Sequence, residues 1–370
     1  MKYYLVAGEA SGDLHGANLI KALKEQDKEA DFRYFGGDLM QAQGGTLVQH
    51  YSTMAYMGFV EVAANLRTIL RNMRACKQDI AAWQPDVVIL IDFPGFNLKI
   101  ADFAKSAGLR VCFYISPKVW AWNQKRVYKI KKVVDHLFCI LPFEVAFYKQ
   151  FNMKVDYVGN PLLDAVSAFK ADEQFLVKNR LEAKKLVALL PGSRKQEISR
   201  LLPVMVKVAE LYPDYQFVVA GAPSFQPQYY EQYMAGSKLP VLFNATYDIL
   251  YHAHAAIVAS GTAVLETALF NVPQVAVYKA NPILIWAGRQ FLKIKFITLV
   301  NLIMDKLVVK ELIQEHCNVE SLSLEVDRLL HDGSYIDEQK ANYDKLDGLM
   351  GQPGASAQTA ELIIKYTQNK

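Results

Sequence analysis

Short apolar runs alternate with longer amphipathic segments along the first half of the chain. The runs are rich in β-branched and aromatic residues, and each leads through a turn into a segment of helical period, which is the pattern of parallel βαβ units. The runs are Tyr3–Ala7, Phe32–Phe35, Val87–Ile91, Val111–Ile115, Leu137–Ile140 and Asp156–Val158, with helical segments such as Leu14–Lys24 and Phe59–Ile80 between them. This half of the chain predicts one α/β domain on a parallel sheet.

The same alternation restarts after a charged helical stretch near Ala168–Lys185. Its apolar runs are Leu186–Leu190, Gln216–Ala220, Val241–Phe243, Ala255–Ala259 and Gln274–Val277. The repetition predicts a second domain of the same class, because a second set of βαβ units needs a sheet and a core of its own.

The complete pattern predicts an α/β protein of two doubly wound, Rossmann-like domains. We expect the first domain over residues 1–170 and the second over 171–349, with a linker near 165–185. The chain beyond Tyr335 has a helical pattern without a further strand, and its last helix, at about 350–370, can pack back on the first domain.

Composition excludes several classes of protein. The 370 residues are 52% hydrophobic and 21% charged, which excludes a disordered, collagen-like or coiled-coil chain. The first apolar run meets an acid at Glu9, too early for a signal peptide, and no apolar stretch is long enough to span a bilayer. The cysteines form no metal or redox motif: Cys76, Cys112, Cys139 and Cys317. We therefore expect a cytoplasmic protein that uses no metal and no cofactor.

The net charge of +4 conceals an uneven distribution. The acid-free stretches Val62–Gln78, Lys118–Lys132 and Thr267–Met304 together carry fourteen Lys and Arg, which leaves −10 on the rest of the chain. The second and third stretches also contain aromatic residues. Such cationic, aromatic surface predicts attachment to an anionic membrane, whereas no nucleic-acid-binding motif accompanies it. A solvated helix face is the alternative for each stretch alone. The candidate membrane-facing residues are Arg67, Arg71, Arg74, Lys125, Arg126 and Lys129.

Ligands of open parallel sheets bind beyond the carboxyl ends of the strands, so candidate chemistry is sought there. Asp92 follows a fully apolar run and precedes a Pro-Gly turn. Partial burial would raise its pKa toward the range of a general base, although a turn or cap residue is the alternative. After the first run, a loop of small residues permits close backbone approach, or simply makes a tight turn before a capped helix: Gly8, Glu9, Ser11 and Gly12.

Two loops of the second half suit a nucleotide. Gly192, Ser193 and Arg194 open a helix with cations in its first turn, which opposes the helix dipole unless an anion such as a diphosphate binds there. Beyond the run Ala255–Ala259, small and hydroxyl residues precede an acid that could accept from a sugar diol: Ser260, Gly261, Thr262 and Glu266. Solvated charge and simple helix capping are the respective alternatives.

These motifs, taken in order, resemble the lipid-A-disaccharide synthase family of inverting glycosyltransferases of the GT-B type. The resemblance extends over nearly the whole chain. The matching blocks are Val6–Asp13, Met57–Val62, Ile91–Asn97, Ser116–Trp122 with Lys125 and Arg126, Leu141–Glu144, Leu190–Arg194, Ser260–Glu266, and Asn301–Leu302 before Leu307–Leu312.

The resemblance implies two domains facing across a cleft and transfer of 2,3-diacylglucosamine from its UDP form to the 6-hydroxyl of 2,3-diacylglucosamine 1-phosphate, at the cytoplasmic face of the inner membrane. Asp92 would be the base, and Arg194, the segment Ser260–Glu266 and Asn301 would hold UDP. Asn97 and the loop after the first strand would lie on the acceptor side. A homodimer is compatible with this assignment.

Two positions depart from the family pattern. Gly95 stands where some relatives carry an acid, so a scheme with a second carboxylate is not open to this chain. Asn160 stands where many carry His, so no proton transfer is assigned there. Another GT-B enzyme of UDP-sugars, either an epimerase or a different lipid-linked glycosyltransferase, and a two-lobed small-molecule binding protein are the alternative functions.

Overall fold

The computed structural model describes residues 1–54, 65–181, 184–281 and 295–368. It divides into two compact units. The first unit runs from Met1 to Asp164 and continues from Gln352 onward, and the second comprises Ala165–Gly351. The chain thus leaves the first unit before residue 170, where we expected the boundary, and later returns to it.

The first unit is built on a seven-stranded sheet. Its strands are β1 (Lys2–Ala7), β2 (Asp31–Gly36), β3 (Thr46–His50), β4 (Val87–Ile91), β5 (Arg110–Tyr114), β6 (His136–Cys139) and β7 (Asp156–Tyr157). They lie in the order β3-β2-β1-β4-β5-β6-β7, and every neighbouring pair is parallel. The order reverses between β1 and β4, which makes this sheet doubly wound.

The second unit repeats the design with six strands. These are β8 (Leu186–Leu190), β9 (Gln216–Gly221), β10 (Val241–Phe243), β11 (Ala253–Ala259), β12 (Gln274–Tyr278) and β13 (Lys310–Ile313). Their order is β10-β9-β8-β11-β12-β13, again all parallel, with the reversal between β8 and β11. The predicted α/β class and the two parallel sheets are confirmed.

Helices connect the strands and cover the sheets. They are α1 (Ala10–Gln26), α2 (Asp38–Ala42), α3 (Leu66–Trp83), α4 (Pro94–Ser106), α5 (Val119–Trp122), α6 (Arg126–Val133), α7 (Pro142–Lys149), α8 (Pro161–Ala168), α9 (Phe175–Lys178), α10 (Lys195–Ala209), α11 (Pro227–Glu231), α12 (Thr246–His252), α13 (Thr262–Leu269), α14 (Leu299–Met304), α15 (Val319–His331), α16 (Gly333–Met350) and α17 (Ala355–Gln368). Single 3-10 turns lie at Tyr51–Thr53 and Gln314–His316. Among the described residues, no helix has both the length and the apolar character needed to cross a bilayer.

Helix α17 completes the core of the first unit. Ala360 and Ile363 are fully buried and belong to the same apolar cluster as Leu5 of β1 and Ile20 of α1. Apolar side chains removed from water stabilise this contact, so the last helix is structurally part of the first unit although 187 residues of the second unit intervene.

Some predicted elements differ from the structure. The charged stretch near Ala168–Lys185 is not one helix: α8 ends at Ala168, and only the four residues of α9 are helical within the described part. The edge strands β3 and β13 were not predicted. The block Met57–Val62 and the start of the predicted helix Phe59–Ile80 lie outside the described residues.

Candidate active site

Asp92 lies at the point where the strand order of the first sheet reverses. Ala7 at the end of β1 pairs with Ile91 at the end of β4, so the loop that begins at Gly8 and the segment that begins at Asp92 leave the sheet side by side. Ligands of doubly wound sheets bind at such reversals. The structure therefore brings the predicted base together with the predicted acceptor-side loop.

The backbone at Asp92 is strained. Asp92 and Phe93 have φ angles of 44° and 48°, a left-handed conformation that side-chain-bearing residues rarely adopt. The amide of Asp92 donates to the carbonyl of Tyr114 at 3.0 Å, which ties the turn to β5. Two consecutive residues held in this conformation fix the position of the Asp92 carboxylate.

The buried side chain of Asn97 holds this turn in place through hydrogen bonds. Its side chain is fully buried, and Nδ2 donates to the main-chain carbonyls of Asp92 at 2.8 Å and of Val6 and Ile91 at 3.2 Å. Nδ2 thus holds the ends of β1 and β4 together, while Oδ1 is buried without a hydrogen-bond partner among the described residues. The place of Asn97 on the acceptor side stays a prediction.

The surroundings of Asp92 raise the pKa of its carboxyl group to about 6. Burial is the main cause, the negative charge of Glu9 adds to it, and the positive charge of Lys118 and the amide of Phe93 oppose it. Ser11 Oγ donates to Glu9 Oε1 at 2.9 Å and so orients this neighbour. A carboxylate with this pKa is ionised at neutral pH and still basic enough to accept a proton.

The loop after β1 is shaped by close packing. A Cβ on Gly8 would lie 2.2 Å from Cδ1 of Phe93, and one on Gly12 would lie 3.2 Å from Cβ of Ala7. Glycine at position 8 is therefore required for the ring of Phe93 to lie against the loop. Asp13 lies inside α1 and accepts from amides at the start of α2.

Sequence reasoning missed the role of Lys118 at this site and assigned it only to a basic stretch. Its charge acts on Asp92, and its loop is anchored by Trp120, whose Nε1 donates to Oε1 of the buried Glu144 at 3.1 Å. Burial raises the pKa of Glu144 to about 7, whereas hydrogen bonds from Leu141 and Trp120 lower it. The matching blocks Ser116–Trp122 and Leu141–Glu144 were the sequence signal that could have indicated this role of Lys118.

The second sheet places two predicted loops at its own reversal. Leu190 of β8 pairs with Val258 of β11, so the loop Gly192–Arg194 and the segment that begins at Ser260 leave the sheet side by side. The structure thus brings together, within the second unit, the two loops expected to hold UDP.

The amides before α10 already hold a carboxylate. Glu197 Oε2 accepts from the amides of Ser193 at 3.1 Å and Arg194 at 3.2 Å, and Oε1 accepts from Nη1 of Arg194 at 3.0 Å. Gly192 permits this with φ of 101°, since a Cβ there would lie 2.4 Å from Glu197 Oε2. The picture of uncompensated cations at this helix start is corrected: Arg194 is paired, although its side chain remains 67% exposed.

The loop after β11 presents small groups to solvent. Gly261 and Thr262 are exposed, and Ser260 Oγ donates to the carbonyl of Ile297 at 3.2 Å. Glu266 lies one turn into α13, half-buried, where Tyr247 Oη donates to its Oε1 at 2.8 Å. Burial raises the pKa of Glu266, and the tyrosine hydrogen bond opposes this shift.

Asn301 is buried, and both ends of its side-chain amide are hydrogen-bonded. Its side chain is fully buried in α14, where Oδ1 accepts from the amides of Val308 and Val309 and Nδ2 donates to the carbonyl of Val309 and to Glu311 Oε1, all within 2.9 Å. With both ends of the amide engaged, Asn301 fixes the turn between α14 and β13. The expected contact of Asn301 with UDP stays a prediction.

The basic surface of the first unit is exposed as predicted from spacing. Arg67, Arg71 and Arg74 lie on one face of α3, all exposed, and Leu66 and Leu70 beside them are each 52% exposed. This combination of arginines and exposed leucines on one helix suits an interfacial location.

The other two basic stretches differ from each other. Lys125 and Lys129 are exposed near α6, and the guanidinium of Arg126 lies 4.5 Å from the ring centre of the exposed Trp122. In the third stretch, Lys295 pairs with Asp305 at 2.9 Å, and the rest of its central part, residues 282–294, lies outside the described residues. The described part of the chain contains no cluster of three or more His, Cys, Asp or Glu suited to a metal ion.

Sequence comparison finds relatives that match nearly the full length of this chain and carry the same description. The profile of the family described as lipid-A-disaccharide synthetase matches residues 3–363. A lipid-A-disaccharide synthase from Geobacter metallireducens is 37% identical over 373 residues, covering 99% of this chain and 97% of that protein. One from Syntrophus aciditrophicus is 40% identical over 371 residues, covering 97% of this chain and 96% of that protein.

Solved structures share the fold at low identity. A UDP-GlcNAc 2-epimerase from Neisseria meningitidis, bound to UDP-GlcNAc, has a TM-score of 0.69 at 13% identity and covers 99% of this chain and 100% of its own. The glycosyltransferase of kitacinnamycin has a TM-score of 0.68 at 13% identity, with 98% of both chains covered. At this identity the likeness shows the fold alone, and the predicted GT-B type is confirmed.

Proposed function

Because the chain belongs to the lipid-A-disaccharide synthase family and is a glycosyltransferase of lipid A biosynthesis, we propose that its sugar transfer is carried out by Asp92 and the loops at the two sheet reversals. The family uses a UDP-sugar donor and a lipid acceptor. In this proposal the donor is UDP-2,3-diacylglucosamine, the acceptor is 2,3-diacylglucosamine 1-phosphate, and the products are a β-1,6-linked disaccharide and UDP.

The observation that carries the proposal is the half-buried carboxylate of Asp92 at the first reversal, with its pKa raised to about 6. It accepts the proton of the acceptor hydroxyl as the oxygen attacks the anomeric carbon of the donor from the side opposite UDP. The bond between that carbon and the UDP oxygen breaks, and UDP leaves with the electron pair. The displacement inverts the anomeric configuration and requires that the two sugars be aligned.

The loops of the second unit supply groups suited to UDP. The exposed guanidinium of Arg194 can bind the diphosphate and stabilise the charge that develops on it as UDP leaves. The diphosphate would then compete with Glu197 for this arginine. Glu266 offers a carboxylate to the ribose hydroxyls, and the small residues Ser260 and Gly261 let the nucleotide approach the backbone.

The purified protein tests this function directly. Incubated with UDP-diacylglucosamine and diacylglucosamine 1-phosphate, it should form the disaccharide and UDP, both detected by mass spectrometry. Folded protein that forms neither product, but epimerises a UDP-sugar without acceptor, would favour the epimerase alternative. The possible homodimer is tested by analytical ultracentrifugation, where a monomer mass at all concentrations would contradict it.

We further propose that α3 and the segment around α6 attach the enzyme to the anionic inner membrane from the cytoplasmic side. The arginine row of α3 can contact anionic headgroups while the exposed leucines beside it enter the interface. This location would bring the acylated substrates to the unit that carries Asp92.

Reversing the charge of this row should release the protein from membranes. The triple variant Arg67→Glu, Arg71→Glu and Arg74→Glu is expected to lose more than about tenfold in affinity for anionic vesicles, since each basic residue near such a surface contributes ~1 kcal/mol. Vesicle sedimentation at low salt measures this. A matched control reverses three exposed lysines of the second unit: Lys207, Lys238 and Lys345. Equal losses in both variants would mean that only net charge matters.

Glu9→Gln should shift the acidic limb of the pH profile. In the wild type, kcat/KM is expected to fall as the pH drops through about 6, where Asp92 takes up a proton. Because the charge of Glu9 raises the pKa of Asp92, its removal should move this limb to lower pH. Glu25→Gln, at an exposed position further along α1, should leave the limb in place. If the acidic limb does not move in Glu9→Gln, the pH profile does not report the protonation of Asp92.

A further inference from the structure

An apolar pocket lies between α3 and α4 in the first unit, with a volume of about 220 Å³. Side chains of both helices line it, chiefly Leu66, Ile69, Met73 and Phe96, together with Phe93 from the turn before α4. The reaction steps derived above use none of these groups. A partly open, largely apolar space of this size next to a site for a polar sugar is filled favourably by an apolar ligand group.

The pocket and the site of Asp92 share a wall. Phe93 follows Asp92 directly in the strained turn, and its ring lies against Gly8 of the acceptor-side loop while also lining the pocket. Gly95 lines the pocket two residues later, and an added Cβ there meets no described atom within 4 Å. Among the described residues, none near Gly95 blocks a ligand bound at Asp92 from extending into the pocket.

The surface outside the pocket suits an acyl chain. Leu66 both lines the pocket and is 52% exposed, and it lies on the helix that carries the arginine row. An apolar path thus leads from the helix face proposed to meet the membrane to the wall beside Asp92. The volume is large enough to hold several methylene groups.

We propose that this pocket holds the first part of one acyl chain of the lipid acceptor and so positions the acceptor hydroxyl at Asp92. The proposal rests on the acceptor assigned under the proposed function. It makes Gly95 and Ile69 specificity-determining residues, one on each wall, because the size of either side chain sets how much of the chain is buried.

The test measures kcat/KM for a series of acceptors with acyl chains of increasing length, below their micelle concentrations, with the donor held constant. For the wild type, kcat/KM should rise about fourfold for each added methylene until the pocket is filled, and then level off. In Gly95→Leu, kcat/KM should level off several methylenes earlier. Ile69→Ala, which enlarges the other wall, should level off later.

The control is Gly348→Leu, the same substitution on α16, at an exposed site that is equally open to an added Cβ among the described residues. Identical chain-length profiles in wild type, Gly95→Leu and Ile69→Ala would overturn the proposal. It would also fail if the variants altered only the dependence on donor chain length, or only vesicle binding. Disaccharide formation by the wild type, measured in the same assay, separates these outcomes from failure of the proposed function.

Discussion

Asp92→Asn is expected to lower the rate of disaccharide formation by about 10²- to 10⁴-fold, the usual contribution of a general base, while UDP affinity stays nearly unchanged. The amide cannot accept the proton of the acceptor hydroxyl, but the loops proposed to bind UDP belong to the second unit. Single-turnover rates and UDP titration measure the two effects separately. Near-normal turnover would refute the assignment of the base.

The same variant should be more stable than the wild type. Asparagine tolerates the left-handed backbone at position 92 better than most residues, so the substitution adds little strain. Because burial raises the folded-state pKa of Asp92, its charged form opposes folding above the unfolded-state pKa, and this penalty disappears as the pH falls below both values. Asp92→Asn should therefore raise Tm at pH 7 and not at low pH. Asp102→Asn, on the exposed side of α4, should change neither activity nor Tm.

Asn301→Ala is expected to lower the free energy of unfolding by about 3–4 kcal/mol, because it leaves the buried amides of Val308 and Val309 without their acceptor. UDP affinity, measured well below the melting temperature, should remain close to that of the wild type if Asn301 fixes the turn and does not contact the nucleotide. Chemical denaturation and UDP titration give the two quantities.

Asn342→Ala is the matched control for that variant. Asn342 is also a buried asparagine of the second unit, but its Nδ2 donates to the carbonyl of Glu338 within the same helix, and its Oδ1 makes only a long contact of 3.5 Å to Nζ of the exposed Lys306. Removing this local bond should cost only about 1 kcal/mol. Equal destabilisation of the two variants would contradict the special role of Asn301, and a selective loss of UDP affinity in Asn301→Ala would restore it as a ligand.

Elements with a strong local pattern were predictable from sequence, and those defined by their neighbours were not. Strand β4 is apolar throughout and fully buried, and its predicted bounds match. Strand β13 reads Lys-Glu-Leu-Ile, and β3 contains Gln49 and His50, so neither shows a strand pattern. Both lie at sheet edges, where one side of the strand needs no apolar partner and polar residues are tolerated.

At the candidate site, too, some features were predictable from sequence and others were not. The position of Asp92 after an apolar strand indicated partial burial, and its pKa shift follows from that and from Glu9. Asn97 and Asn301 were assigned to ligands by motif, yet both make buried hydrogen bonds to the main chain. An asparagine at a loop is compatible with either role, and only the paths of the neighbouring strands decide between them.

The return of the chain to the first unit determines the order in which the enzyme can be completed during synthesis. The second unit is one continuous segment, whereas the first lacks Ala360 and Ile363 of its core until the chain beyond Gln352 has emerged from the ribosome. The unit made first is therefore finished last, and the face of α1 that α17 covers stays open to solvent or chaperones in the meantime. The core around the sheet that carries the base is therefore completed only after the unit proposed to bind UDP has been synthesised.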